Sequence, residues 1–258
     1  MVLHTATYGD SGSRILFLHG LFGQGRNWTT IAKALAGEHR ATVVDLPHHG
    51  RSPWPDTFDY LETADMVADL IKLHDPAAVV GHSMGGKVAM VLALRHPRLV
   101  SRLCVVDMAP ITYPRSQQFE TYIDAMRHLD LGADATREDA DVALTPAVPD
   151  PGVRSFLLQN LRRDAFGWTW QMNLEVLGRD LDRISGWPTG QLGPTRSYGG
   201  PVLWISGQES PYVRADNRPI MKAFFPRVRS VTVKGAGHWV HADRPEIVTE
   251  LLRDFTKA

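Results

Sequence analysis

Ser83 stands in Gly81-His82-Ser83-Met84-Gly85-Gly86, a G-x-S-x-G pattern. The apolar run Ala77-Ala78-Val79-Val80 precedes it, and a strongly apolar helical pattern from Met84 to about Arg95 follows. A serine on a tight strand-to-helix turn projects its Oγ from the sheet edge, and a Cβ at the flanking glycines would strike the adjacent strand or helix. A serine hydroxyl attacks poorly until a base removes its proton. The chemistry open to this turn is therefore acyl transfer, provided that a histidine, an orienting acid and oxyanion donors lie elsewhere in the chain.

Among 11 histidines, His238 is the best base: Gly235-Ala236-Gly237-His238-Trp239 follows the last strand pattern, where glycines let the chain turn back towards Ser83. His241 reads as a neighbour in the shell around it. The oxyanion needs two backbone N–H groups facing each other. One is Met84, at the start of the helix after Ser83, where the positive helix end favours developing negative charge. The other comes from His19-Gly20-Leu21-Phe22-Gly23, with Leu21 first and Phe22 as the alternative. His19 reads as the residue that holds this loop. His48 and His49 lack the further ligands that a metal site would need, so their loop reads as structural. For the acid there are three candidates: Asp107 at the end of the run Ser101–Asp107, Glu209, and Asp216. Asp107 leads, because it closes the next strand after Ser83 and can accept the Nδ1–H of His238. The proposed chemistry calls for no metal or organic cofactor.

These residues must be positioned by a sheet. Short continuous apolar runs at Arg14–Leu18, Ala41–Asp45, Ala77–Gly81 and Ser101–Asp107 alternate with amphipathic stretches. That pattern predicts parallel strands covered on both faces, a doubly wound α/β sheet. The rhythm stops at residue 111. Helical patterns over Ser116–Leu131, Asp139–Leu144, Val153–Arg163 and Trp170–Arg183, without a good strand, predict an inserted helical lid with a connector over 111–199. Strands resume at Pro201–Ile205 and Val228–Val233, and a last helix presents Ile247, Val248, Leu251, Leu252 and Phe255. The expected layout is a core of residues 1–110 and 200–258 interrupted by the lid. Lid aromatics such as Trp168 and Trp170, with Phe22, His82 and Trp239 near the serine, are the expected substrate-binding side chains.

The chain has 258 residues, 43% of them hydrophobic, which suffices for one substantial core. Lys plus Arg and Asp plus Glu both number 28, so charge balance supplies no argument for a nucleic-acid partner. The one cysteine, Cys104, lies in an apolar run and reads as a buried inert thiol. No basic segment followed by an apolar stretch opens the chain, and no run approaches the length of a membrane helix. These features predict a cytoplasmic protein acting on a small molecule, with no membrane insertion.

The motifs resemble those of the α/β-hydrolase family, and within it a branch of small bacterial esterases with mitochondrial relatives. The likeness rests on His19-Gly20-Leu21-Phe22-Gly23, Gly81-His82-Ser83-Met84-Gly85-Gly86-Lys87, Val105-Val106-Asp107-Met108-Ala109-Pro110, Ser210-Pro211-Tyr212-Val213 and Gly235-Ala236-Gly237-His238-Trp239-Val240-His241. In most of the family the acid follows the strand at 202–205 in a G-x-x-D turn, where this chain has Ser210. In the resembled branch the earlier strand carries the acid, which agrees with Asp107. His48 departs from that branch, whose members have Asn there. The resemblance implies hydrolysis of carboxylic esters, or of thioesters, by a Ser-His-Asp triad through an acyl-enzyme. Rival readings are a cofactor-free haloperoxidase or C–C bond hydrolase on the same triad, and a ligand-binding receptor or slow sensor on the same scaffold.

Overall fold

A computed structural model describes the chain except residues 73, 133, 166, 193–195 and 258; parts of the lid and connector expected over 111–199 therefore lie outside the described residues. Seven strands form the main sheet: β1 (Thr5–Tyr8), β2 (Ser13–Leu18), β3 (His39–Val44), β4 (Ala77–His82), β5 (Val100–Val106), β8 (Val202–Gly207) and β9 (Val228–Val233). Their order is β1-β3-β2-β4-β5-β8-β9, with every pairing parallel except that of β1 with β3. The chain moves outward from β2 to β3, returns past β2 to β4, and continues to β5 and β8. The carboxyl ends of β2 and β4 therefore flank the point where the winding reverses, the crevice where open α/β sheets build their sites.

Both sheet faces are buried, and the strands show it residue by residue. Leu16, Leu18, Val79, Leu103, Val105, Val202 and Trp204 join one core with α2 (Tyr60–Lys72), α3 (Met84–Arg95) and α10 (Arg218–Phe224). Ile15, Phe17, Val80, Cys104, Val106, Leu203 and Ile205 join the other, with α1 (Thr29–Leu35), α11 (Val240–Asp243) and α12 (Pro245–Lys257). Side chains alternate across a strand, so covering both faces demands uninterrupted apolar runs. Burial of each such side chain contributes about 1.5–3 kcal/mol. Cys104 lies within this packing, and desolvation pushes its thiol pKa up.

The segment inserted between β5 and β8 differs from the all-helical expectation. It holds α4 (Gln117–Arg127), α5 (Arg137–Leu144), α6 (Pro151–Leu158), a hairpin of β6 (Leu161–Asp164) and β7 (Gly167–Trp170), then α7 (Leu174–Arg179), α8 (Leu181–Ser185) and α9 (Thr189–Leu192). The helix expected to reach Arg163 stops at Leu158, where Asn160 turns its amide back to the carbonyls of Leu157 and Phe22. Trp170, expected to open a helix, ends β7 instead. The insertion has no separate core: Ile123, Met126, Leu144, Leu157 and Leu177 pack into the α2–α3 face. Among the described residues, no helix is long and apolar enough to cross a membrane.

Candidate active site

Ser83 links β4 to α3 in a left-handed conformation, with φ 53° and ψ −120°. Such a turn is strained for a residue with a Cβ, and packing imposes it. A Cβ on Gly81 would lie 2.2 Å from the carbonyl oxygen of Gly85, and one on Gly85 would lie 2.4 Å from that of His19. Neither position accepts a side chain, and the second contact shows that the loop after β2 presses against the Ser83 turn.

Asp107 follows β5, also left-handed at φ 51° and wholly buried. His238 precedes α11, in the loop that Gly235 turns at φ 61°. The three side chains form one line. His238 Nδ1–H donates to Asp107 Oδ2 at 2.7 Å, and His238 Nε2 lies 3.0 Å from Ser83 Oγ. With the Nδ1 proton held by a carboxylate, Nε2 is free to take a proton from Ser83, the geometry that general-base activation of a nucleophile requires. Glu209 and Asp216 are exposed, and neither bonds His238; Asp216 pairs with Arg214 at 3.8 Å.

Leu21 and Met84 flank Ser83 from the two sides of the switch point. Neither of their N–H groups has an acceptor among the described residues. The Phe22 N–H, by contrast, donates to His49 Nε2 at 3.3 Å, while His49 Nδ1 faces the Pro47 carbonyl at 2.9 Å. Phe22 is thereby removed as a competing oxyanion donor. His19 holds the same loop: Nδ1–H donates to the Gly20 carbonyl at 2.8 Å, and Nε2 accepts the Leu46 N–H at 2.9 Å. Burial depresses the pKa of both rings, which suits neutral imidazoles used as fixed donor–acceptor bridges. His48 adopts φ 67°, a conformation that Asn adopts more readily, and its Nε2 reaches the Thr57 carbonyl at 3.3 Å.

Several contacts around the line were not legible from residue spacing. Ser210 Oγ–H donates to Asp107 Oδ2, and the Gly207 N–H donates to Oδ1 at 3.1 Å. The Tyr212 ring stacks on His238 at 4.1 Å and 27°. Tyr113 ties the loops together, its OH accepting the Ala109 N–H at 2.9 Å and donating to the Tyr212 carbonyl at 2.6 Å. His82 Nε2–H donates to the His238 carbonyl at 2.9 Å, so this side chain braces the histidine loop as well as lining space beside Ser83.

Two spaces meet at Ser83. A cavity of about 330 Å³ runs past Met84, Lys87, Tyr113 and Tyr212. A narrow passage lined by Phe22, His82, His238 and Trp239 leads to an outer cavity of about 770 Å³ that shares Phe156, Trp239 and His241 with it. Trp168 and Trp170 line neither space. Their indole N–H groups donate to the carbonyls of Ala135 (3.2 Å) and Met126 (2.9 Å), which directs both rings into the packing of the insertion and corrects their assignment as substrate-binding residues.

Comparison with known proteins gives the family and the fold. Residues 13–245 match the family model described as alpha/beta hydrolase fold. The chain is 37% identical over 249 residues to the mouse sn-1-specific diacylglycerol lipase ABHD11, covering 93% of this chain and 80% of that protein. It is 32% identical to esterase YbfF of Escherichia coli, covering 97% and 96%. Among solved structures, a marine microorganism esterase superposes with a TM-score of 0.93 at 32% identity, over 98% of this chain and 99% of that one.

Proposed function

The chain belongs to the α/β-hydrolase family and is a carboxylesterase-type hydrolase, and on that premise we propose that it cleaves small-molecule carboxylic esters through an acyl-enzyme formed on Ser83. The observation that carries the reading is the unbroken line from Asp107 through His238 to Ser83, at 2.7 and 3.0 Å. His238 takes the Ser83 proton as Oγ attacks the ester carbonyl. The oxyanion is received by the free N–H groups of Leu21 and Met84, and the alcohol leaves with the proton from Nε2. Water, deprotonated by the same nitrogen, then releases the acid. Thioesters are open to the same steps. Asp107 holds the tautomer and stabilises the imidazolium, and residues 111–199 act as a lid whose α4 and α8 contribute walls to the acyl space.

The test is hydrolysis of p-nitrophenyl esters from acetate to palmitate by wild type and Ser83→Ala. We expect kcat to fall by about four to six orders of magnitude in the variant, the scale for loss of an acyl-transfer serine. Turnover in Ser83→Ala close to wild type would remove Ser83 from the reaction. A wild type inert on every ester would turn the reading to a ligand receptor.

A further inference from the structure

Lys87 lies one turn along α3 from Ser83 and is only 1% exposed. Its ammonium donates to the carbonyls of Ser185 and Gly186, each at 2.6 Å, and to that of Ile184 at 3.5 Å, which end α8. Aromatic faces of Tyr113 and Tyr60 lie 5.0 and 5.8 Å away. Among the described residues, no carboxylate pairs with it. A buried cation ordinarily has a counter-ion, because carbonyl dipoles satisfy its hydrogen bonds without cancelling its charge. Lacking one, Lys87 has its pKa lowered to about 7 by desolvation, and a carboxylate beside it would favour the charged form.

Lys87 lines the cavity of about 330 Å³ that opens from Ser83. The cavity's other cation, Arg115, is already paired with Glu120 and Asp182, and no lining residue is acidic. The remaining wall is largely apolar, with Leu21, Met84, Met108, Phe119 and Ile184. His238, which must protonate the leaving group, lines the passage and not this cavity. The leaving alcohol therefore belongs to the passage, and the acyl part to the Lys87 cavity.

We infer that the Lys87 cavity is an acyl subsite for chains that end in a carboxylate, so that the favoured substrates are half-esters of short dicarboxylic acids. This rests on the ester hydrolysis proposed above and adds its acyl class. The apolar wall takes the methylenes, and the carboxylate supplies the counter-ion that Lys87 lacks. The 3.5 Å contact to Ile184 is the weakest of the three and is the one a substrate oxygen replaces. The reaction is unchanged: one ester bond and one water give the dicarboxylate and the alcohol.

The experiment compares monoethyl glutarate and monoethyl adipate with ethyl pentanoate and ethyl hexanoate in a pH-stat, with wild type and Lys87→Met. For wild type, kcat/KM for each half-ester exceeds that of its neutral partner by about tenfold or more, the scale of a hydrogen bond to a charged group. Lys87→Met brings the ratio to about one. Since that variant also frees the end of α8 and can lose its fold, inhibition of wild type by free glutarate against pentanoate is measured as well, with glutarate expected to bind at least about tenfold tighter. Equal turnover and equal inhibition overturn the inference and leave Lys87 as a clamp on α8. If no ester of either class is hydrolysed, the esterase reading fails; calorimetric titration with the two acids then decides the subsite, upheld by tighter glutarate and overturned by equal binding.

Discussion

The carboxyl ends of β5 and β8 lie side by side on one sheet edge, and they carry opposite kinds of group. After β5 comes Asp107, a buried carboxylate in a left-handed conformation that Asp tolerates better than most residues. The end of β8 turns donors to that carboxylate, the Gly207 N–H on Oδ1 and the Ser210 hydroxyl on Oδ2, while the exposed Glu209 of the same turn makes no bond to His238. Both ends converge on the carboxylate that His238 uses, which leaves one charge from β5 and a set of donors from β8. Two carboxylates here would repel, and one would be forced to hold a proton. The serine in the β8 turn thus completes the arrangement: it stabilises the charge that β5 supplies.

The strongest way to break this comparison is Asp107→Asn. The amide keeps the shape but offers an N–H where His238 needs an acceptor, and kcat for ester hydrolysis is expected to fall about ten-thousand-fold, the scale of losing the correct tautomer. A change below about tenfold would mean that another acid serves His238. A sharper test moves the charge. Asp107→Gly accepts φ 51° without strain, and adding Ser210→Asp places a carboxylate on the β8 turn. The double variant should recover about tenfold to a hundredfold of the activity lost in Asp107→Gly alone, the scale of a charged hydrogen bond. No recovery would show that β8 is out of reach of His238.

What could be read from the sequence divides along the same physical line. The parallel strands and the Ser83 turn were legible because two-sided burial forces continuous apolar runs, and because steric crowding at Gly81 and Gly85 leaves a fixed spacing. Asp107 was preferred for closing the strand next to that of Ser83. The edge strand β1, Thr5-Ala6-Thr7-Tyr8, and the hairpin Leu161–Trp170 escaped notice, since strands with one wet face and only four residues carry little pattern. His82, Ser210, Tyr113 and Tyr212 were not legible as supports of His238. Their roles come from loops that meet across 99 to 156 residues of chain, a proximity that no local spacing encodes.

The smallest effect expected from the comparison belongs to Ser210→Ala. Removing the hydroxyl takes one of three donors from the Asp107 carboxylate, while Gly207 and His238 remain. A hydrogen bond to a charged group is worth about 1.5–3 kcal/mol, and the carboxylate keeps most of its partners in every step, so kcat should fall only about tenfold with KM nearly constant. A structural filler would behave differently: its loss would loosen the turn and raise KM or lower the melting temperature without touching the His238–Asp107 bond. The distinguishing signal is the low-field proton resonance of His238 Nδ1, which should move further downfield in Ser210→Ala as Oδ2 becomes the stronger acceptor. Ser210→Thr, which restores a hydroxyl, should return both kcat and the resonance towards wild type. If the resonance stays fixed while kcat falls, the β8 end only fills space, and the charge on β5 stands without help from its neighbour.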